Sequence, residues 1–150
     1  MVNICIYGAG AIGGYLGCCL SKAGANVSLI ARGPHKEAIE KFGLTLISNN
    51  ISENFNLKVT DNPNDLDTQD YVILAVKAHS ISNIATSLKP LFHEKTAVLS
   101  AVNGLPWWYF YNAHSGTQLD NMHIESVDPK GLIWETINPK RAIGCVVYPA

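Results

Sequence analysis

The run Gly8-Ala9-Gly10-Ala11-Ile12-Gly13, set directly behind the apolar stretch Ile4-Cys5-Ile6-Tyr7, constrains this chain more than any other feature. A strand that turns through glycines at this spacing and enters a helix has the form of a dinucleotide site. Gly8 permits the tight turn, Gly10 lets a pyrophosphate approach the backbone, and Gly13 lets the helix pack on the strand. The helix N-terminus adds unpaired N–H groups and the positive end of its dipole. Ala9, Ala11 and Ile12 complete the turn, so all six residues are candidate cofactor contacts. The glycine spacing alone is a weak signal, and its flanks strengthen it. Ile12, Leu16, Cys19, Leu20 and Ala23 recur at helical spacing and predict one buried stripe. Gly24 supplies a stop, and Val27-Ser28-Leu29-Ile30-Ala31 reads as the second strand of a βαβ unit.

That strand runs into Arg32. A carboxylate at this position would bond a ribose 2′-hydroxyl, whereas a guanidinium suits a 2′-phosphate through charge-assisted, often bidentate bonds. The expected cofactor is therefore NADPH rather than NADH, the alternative being a solvated arginine before Gly33-Pro34. His35 and Lys36 either add positive charge nearby or are plain first-turn surface residues.

Composition excludes several other classes. Cys5 to Leu20 is mostly apolar, but no basic segment precedes it and glycines interrupt it, so neither a signal peptide nor a membrane helix is expected. A formal net charge of −1 gives no electrostatic footprint for nucleic acid or an anionic membrane. Cys5, Cys18, Cys19 and Cys145 lie in apolar runs without a C-x-x-C pair, which predicts small buried hydrophobes in a reducing compartment and a cytoplasmic location. The histidines show no metal-ligand spacing, and no metal site is expected.

The rest of the chain alternates strands and helices. Pro34 to Phe42 predicts a short helix with Ala38, Ile39 and Phe42 inward. Leu44–Ile47 and Asn56–Thr60 predict a hairpin-like addition at the sheet edge, joined through a polar Ser48–Glu53 turn. Pro63 to Asp70 is an acidic helix or loop. Tyr71–Val76 and Thr96–Ser100 read as strands buried on both faces. Ser80 is placed to cap a helix running to about Leu88, Pro106–Tyr111 reads as an aromatic helix, and Ala142–Tyr148 as a last strand. Met122–Asn138 shows no clear pattern. The fold class is α/β, a Rossmann-like doubly wound, mostly parallel sheet over one domain, residues 1–150. Ligands in such sheets bind beyond the carboxyl ends of the strands. Lys77, Asn103-Gly104 and Pro149-Ala150 all fall there. Lys77 suits a phosphate, ribose or substrate carboxylate, or is a surface lysine at a strand end. Asn103 suits a ribose or the substrate, or belongs to a simple N-G turn.

Five blocks in order resemble the ketopantoate reductase (2-dehydropantoate 2-reductase) family: Ile4 to Gly14, Leu29 to His35, Ala75 to His79, Asn103 to Tyr109, and Gly144 to Tyr148. The resemblance implies NADPH-dependent reduction of 2-dehydropantoate, a 2-keto acid, to pantoate on the way to coenzyme A. It implies that Gly8 to Gly13 hold the pyrophosphate and Arg32 the 2′-phosphate, that Lys77 and Asn103 meet cofactor and substrate, and that Ala150 lies near the nicotinamide. It also implies that no residue here is the proton donor. In the family that lysine and the substrate-binding polar residues belong to a helical C-terminal domain, which this chain is expected to lack. An isolated cofactor domain is expected to turn over little and to self-associate through the face the second domain covers. Two alternatives share these residues: a paralogue reducing another 2-keto acid, and an NADP(H)-binding sensor without chemistry.

Overall fold

The computed structural model describes residues 1–114 and 116–148. Six strands form one parallel sheet: β1 (Asn3–Tyr7), β2 (Asn26–Ile30), β5 (Lys58–Thr60), β6 (Gln69–Leu74), β7 (Phe92–Ala101) and β8 (Ala142–Cys145), in the order β5-β2-β1-β6-β7-β8. A separate antiparallel pair, β3 (Leu44–Ser48) and β4 (Ile51–Phe55), stands beside it. The helices are α1 (Ala11–Lys22), α2 (Gly33–Phe42), α3 (Ile81–Ile84) and α4 (Leu132–Ile137).

The central strands are buried on both faces, which is why they read as unbroken apolar runs. Ile4, Ile6, Val27, Leu29 and Ile73 meet Leu16, Leu20 and Ile39 of α1 and α2 on one side. Cys5, Tyr7, Val72, Leu74 and Val98 meet Ile81, Leu88, Trp107, Ile133 and Ile137 on the other. The alternation of Cys5 and Ile6 between these two clusters is the two-residue period of a strand made visible.

Several expectations are corrected. The buried face of α1 is Gly13, Gly17 and Cys18, while Ile12, Leu16, Cys19 and Leu20 are half-buried and Ala23 is exposed. A Cβ on Gly17 would sit 3.1 Å from Leu29 Cδ2 and 3.6 Å from Ile6 Cδ1, so the sheet's own side chains fill the gap and the helix backbone settles on them. In α2 only Ile39 is buried; Ala38 is exposed, and Phe42 lies at the surface beneath the Lys41 ammonium. The expected hairpin is re-paired. Asn49 and Asn50 both take positive φ (49° and 62°), which suits a two-residue turn between β3 and β4 and frees β5 to join β2.

The helix expected from Ser80 to Leu88 is α3 alone, continued by a 3₁₀ segment Ala85–Leu91 with Pro90 inside it. Ser80 makes no capping bond with its side chain. Ser87 Oγ donates to the Ile84 carbonyl (2.7 Å), the acceptor that a continuing α-helix would use. Pro106–Tyr111 forms turns rather than a helix, with bonds from Tyr109 N to Pro106 O and from Tyr111 N to Trp108 O. Regular strand ends at Leu74 and Cys145, short of the expected Val76 and Tyr148. Among the described residues no helix is long and apolar enough to cross a membrane.

Candidate functional site

Parallel pairing carries every strand end to one edge. Tyr7 stands beside Ile30 and Leu74, Leu74 beside Ser100, and Ala101 beside Cys145. Backbone bonds extend the alignment beyond the strands: Gly8 N donates to Ile30 O (3.0 Å) and Ala75 N to Tyr7 O (2.9 Å). From β1 the chain moves outward through β2 to β5, then crosses back to β6 and continues the other way. The crevice over β1 and β6 is thus the topological switch point, where open α/β sheets bind ligands.

The glycine turn fills this crevice, and its glycines have different causes. Gly8 has φ +107°, and a Cβ there would lie 2.6 Å from Ala75 O. A Cβ on Gly13 would lie 1.8 Å from Gly8 O. Both are required by the protein's own packing. A Cβ on Gly10 would meet nothing within 4 Å, and its φ is an ordinary −71°. The fold itself therefore makes no demand for glycine at position 10. Gly10 is the N-cap of α1, no side chain caps that helix, and its first turn holds no acidic residue. The turn thus fits an anion laid against the backbone of Gly10 to Gly13.

Arg32 is the exposed N-cap residue of α2, on extended backbone two residues past the end of β2. Its guanidinium has no partner among the described residues. Lys36 is already engaged with Glu40 (3.4 Å) and Asp61 (3.6 Å), and the Glu40 carboxylate, chiefly, holds its pKa above the usual lysine value. Lys36 therefore adds little unpaired charge to the cleft. His35 behaves differently: its Nε2 lies 2.6 Å from the Ala9 carbonyl, inside the glycine turn. Sequence reasoning placed His35 near the site but missed this bond, whose only signal was a position three residues past Arg32.

Ile12, Val76, Lys77, Asn103 and Val147 line one open cleft of about 300 Å³. Lys77 is exposed, with no partner among the described residues. The Asn103 amide is half committed. Its Nδ2 donates to Val147 O (2.8 Å) and its Oδ1 accepts from Val147 N (2.9 Å), pinning the segment after β8 to the end of β7. One N–H and one lone pair remain for a ligand. The structure thus gathers the glycine turn, Lys77 and Asn103, with Arg32 at the neighbouring strand end. Ala150, the remaining expected contact, lies outside the described residues, as does Pro149.

The four cysteines are free. Burial pushes the Cys5 thiol up to about 12, and burial followed by the neighbouring Cys19 raises Cys18. No group of three or more metal-ligating side chains occurs among the described residues.

The family model Ketopantoate reductase PanE/ApbA matches residues 4–106. A 2-dehydropantoate 2-reductase from Mesorhizobium japonicum is 44% identical over 150 residues, which is 99% of this chain and 45% of that protein. A 2-dehydropantoate 2-reductase from Pyrococcus horikoshii is 38% identical over 104 residues, 69% of this chain and 34% of its own length. The chain thus spans less than half the length of these curated relatives. Among solved structures, a candidate ketopantoate reductase from Ralstonia solanacearum superposes with a TM-score of 0.90 at 37% identity, over 100% of this chain and 46% of that one. D-mandelate dehydrogenase, solved with NADH and anilino(oxo)acetate, gives a TM-score of 0.63 at 30% identity over 69% of this chain and 34% of its own.

Proposed function

The chain belongs to the ketopantoate reductase family, and on that premise we propose that it supplies the NADPH-binding half of an oxidoreductase that converts 2-dehydropantoate to pantoate. The observation that carries the reading is the glycine turn at the switch point, with a Gly10 that nothing in the protein requires. Gly8 to Gly13 hold the pyrophosphate with backbone N–H groups. Arg32, exposed and unpartnered, holds the 2′-phosphate, which favours NADPH over NADH. Lys77 supplies a positive charge at the cofactor–substrate edge, and the free half of the Asn103 amide orients the substrate or a ribose hydroxyl.

When bound, the dihydronicotinamide supplies a hydride to the ketone carbon. The proton that completes the alcohol comes from the lysine that the family carries in its helical C-terminal half. Residues 1–150 taken by themselves bind the cofactor and turn over little, because one wall of the cleft and the acid belong to that half. The apolar strip of Tyr15, Val146 and Tyr148 is the surface that half covers, and uncovered it favours self-association. The free thiols suit a cytoplasmic enzyme.

A related reading follows from the likeness to D-mandelate dehydrogenase: the same cofactor half serving another 2-keto acid. The test measures NADPH and NADH oxidation by this chain, and by this chain joined to the C-terminal half of the Mesorhizobium relative, across 2-dehydropantoate and other 2-keto acids. Turnover by the joined protein with NADPH and 2-dehydropantoate supports the proposal. Turnover with a different keto acid moves the substrate. Tight NADPH binding without turnover leaves a sensor.

A further inference from the structure

We propose that His35 is a positioning residue for dinucleotide binding, which acts by holding the Ala9–Gly10 peptide in the orientation the pyrophosphate needs. The inference rests on the reading of the crevice as a dinucleotide site. A carbonyl oxygen only accepts, so at 2.6 Å from Ala9 O the imidazole donates from Nε2. The bond links the first turn of α2 to the glycine turn, joining two stretches of chain 26 positions apart. Arg32 stands on the same α2 entry, so one side chain ties the 2′-phosphate end of the site to its pyrophosphate end.

The tie falls on a carbonyl of the turn that the helix ladder leaves free. The backbone ladder of α1 starts one residue later, with Gly14 N donating to Gly10 O (2.7 Å), so that ladder does not hold the Ala9 carbonyl. Gly10 has no side chain, and apart from its own chain neighbours nothing lies within 4 Å of where its Cβ would be. Packing therefore anchors Ala9 in the core, while on the Gly10 side no side chain helps to set the peptide, which leaves that to hydrogen bonding. In a planar trans peptide the C=O and the N–H point in opposite directions. Holding the Ala9 carbonyl toward His35 turns the Gly10 N–H to the far side of the peptide. His35, Ala9, Gly10 and Thr45 also border a cavity of about 320 Å³, so the tie lies beside open space.

This role separates from a direct contact with the 2′-phosphate by the choice of ligand. NADPH and NADH share the pyrophosphate, whereas adenosine 2′-monophosphate carries only the 2′-phosphate end. Affinities for all three are measured by calorimetry on wild type, His35→Ala, His35→Gln and His35→Asn, with melting temperatures alongside. Gln places its amide nitrogen as many bonds from Cβ as the imidazole Nε2, whereas Asn stops short.

Loss of one neutral hydrogen bond corresponds to about a 5-fold weakening. H35A and H35N are expected to weaken NADPH and NADH alike by about that factor, to leave adenosine 2′-monophosphate unchanged, and to melt close to wild type. H35Q is expected to restore both dinucleotides. A loss for adenosine 2′-monophosphate, or a loss confined to NADPH, makes His35 a phosphate contact and overturns the proposal. Unchanged affinity for both dinucleotides in H35A also overturns it. Wild type that binds neither dinucleotide removes the reading beneath it, an outcome distinct from wild-type binding that His35 does not affect.

Discussion

Residues 3–60 and the connection from Val102 to Arg141 are built by opposite means. In the first, structure depends on atoms that are missing. Gly8, Gly13 and Gly17 let backbone meet backbone and leucine meet helix, and a Cβ at Gly13 would fall 1.8 Å from Gly8 O. In the second, structure depends on side chains that replace the backbone ladder. Asp128 is fully buried, and its two oxygens accept from Ile133 N (2.7 Å) and Trp134 N (2.9 Å) to start the short helix α4. Trp107 enters the core edge-on to Trp108, and Trp134 is flanked by Tyr111 and His123. The first region is rigid where a ligand must lie close to main chain. The second wraps one flank of the sheet and carries none of the expected cofactor contacts except Asn103, at its start.

The largest expected effect tests what the glycines are for. Gly13→Ala forces backbone apart and is expected to cost ~3 kcal/mol or more, lowering the melting temperature by about 10 °C. Gly10→Ala is expected to cost no more than about 1 kcal/mol, the poorer N-cap fit of alanine, since its methyl meets open space. It should nevertheless weaken NADPH at least tenfold. A Gly10→Ala protein that melts as early as Gly13→Ala would place the role of Gly10 in packing and remove the contrast between the two glycines.

The second region gives way differently. Asp128→Ala leaves two backbone N–H groups of α4 without their acceptor, and is expected to cost about 2–3 kcal/mol in denaturant unfolding followed by tryptophan fluorescence. Asp128→Asn keeps one acceptor and should fall between. Neither change should move NADPH affinity by more than about twofold, because Asp128 lies outside the cleft. A tenfold loss of affinity would mean that the connection shapes the site.

These two constructions also explain what could be read from the sequence. The glycine turn and the succession of buried parallel strands, with Lys77 and Asn103 past their ends, follow from apolar runs and glycine spacing, both of which sequence displays directly, whereas the strand order and the pairing of β5 with β2 come only from the fold. The buried face of α1 departs from the helical spacing of its large residues because Leu29 and Ile6 reach up from the sheet to Gly17. The β3–β4 pair was missed because its turn uses Asn49-Asn50 rather than a glycine. The expected helix at Pro106–Tyr111 fails, and Met122–Asn138 shows no pattern, for a related reason. Asn112, His114, Asn121, Lys130 and Asn138 adopt positive φ without being glycine, and Asp128 caps α4 by accepting from Ile133 N, five residues away. Neither device leaves a periodic trace. The same limit hid the His35 bond, a contact between chain segments that only the fold brings together.

Within the first region, Arg32 isolates the 2′-phosphate from the rest of the site. Arg32→Asp removes a charge-assisted contact and puts a like charge opposite the phosphate. It is expected to weaken NADPH by about 1.5–3 kcal/mol while sparing NADH. Stability should hold, because the guanidinium has no partner among the described residues. Equal losses for both cofactors would remove the 2′-phosphate role.

The smallest effect concerns the thiols that close the two regions. Cys5, in β1 beneath the glycine turn, is fully buried, and burial raises its pKa from 9.0 to about 12. In the unfolded chain the thiol ionises near its ordinary value, so the folded state binds the proton more tightly. Its contribution to stability is complete below pH 9 and is lost as pH rises from 9 toward 12. The gap in unfolding free energy between wild type and Cys5→Ala should therefore narrow by about 1.4 kcal/mol between pH 8 and pH 10. Cys145, at the end of β8, is only half-buried. A thiol reagent should label it in the native protein long before Cys5, which is expected to react only at the rate of unfolding. Native labelling of Cys5 as fast as Cys145, together with a gap that does not change with pH, would mean that the glycine-packed region opens as readily as the segment that follows the aromatic connection, and the contrast in rigidity would fall with it.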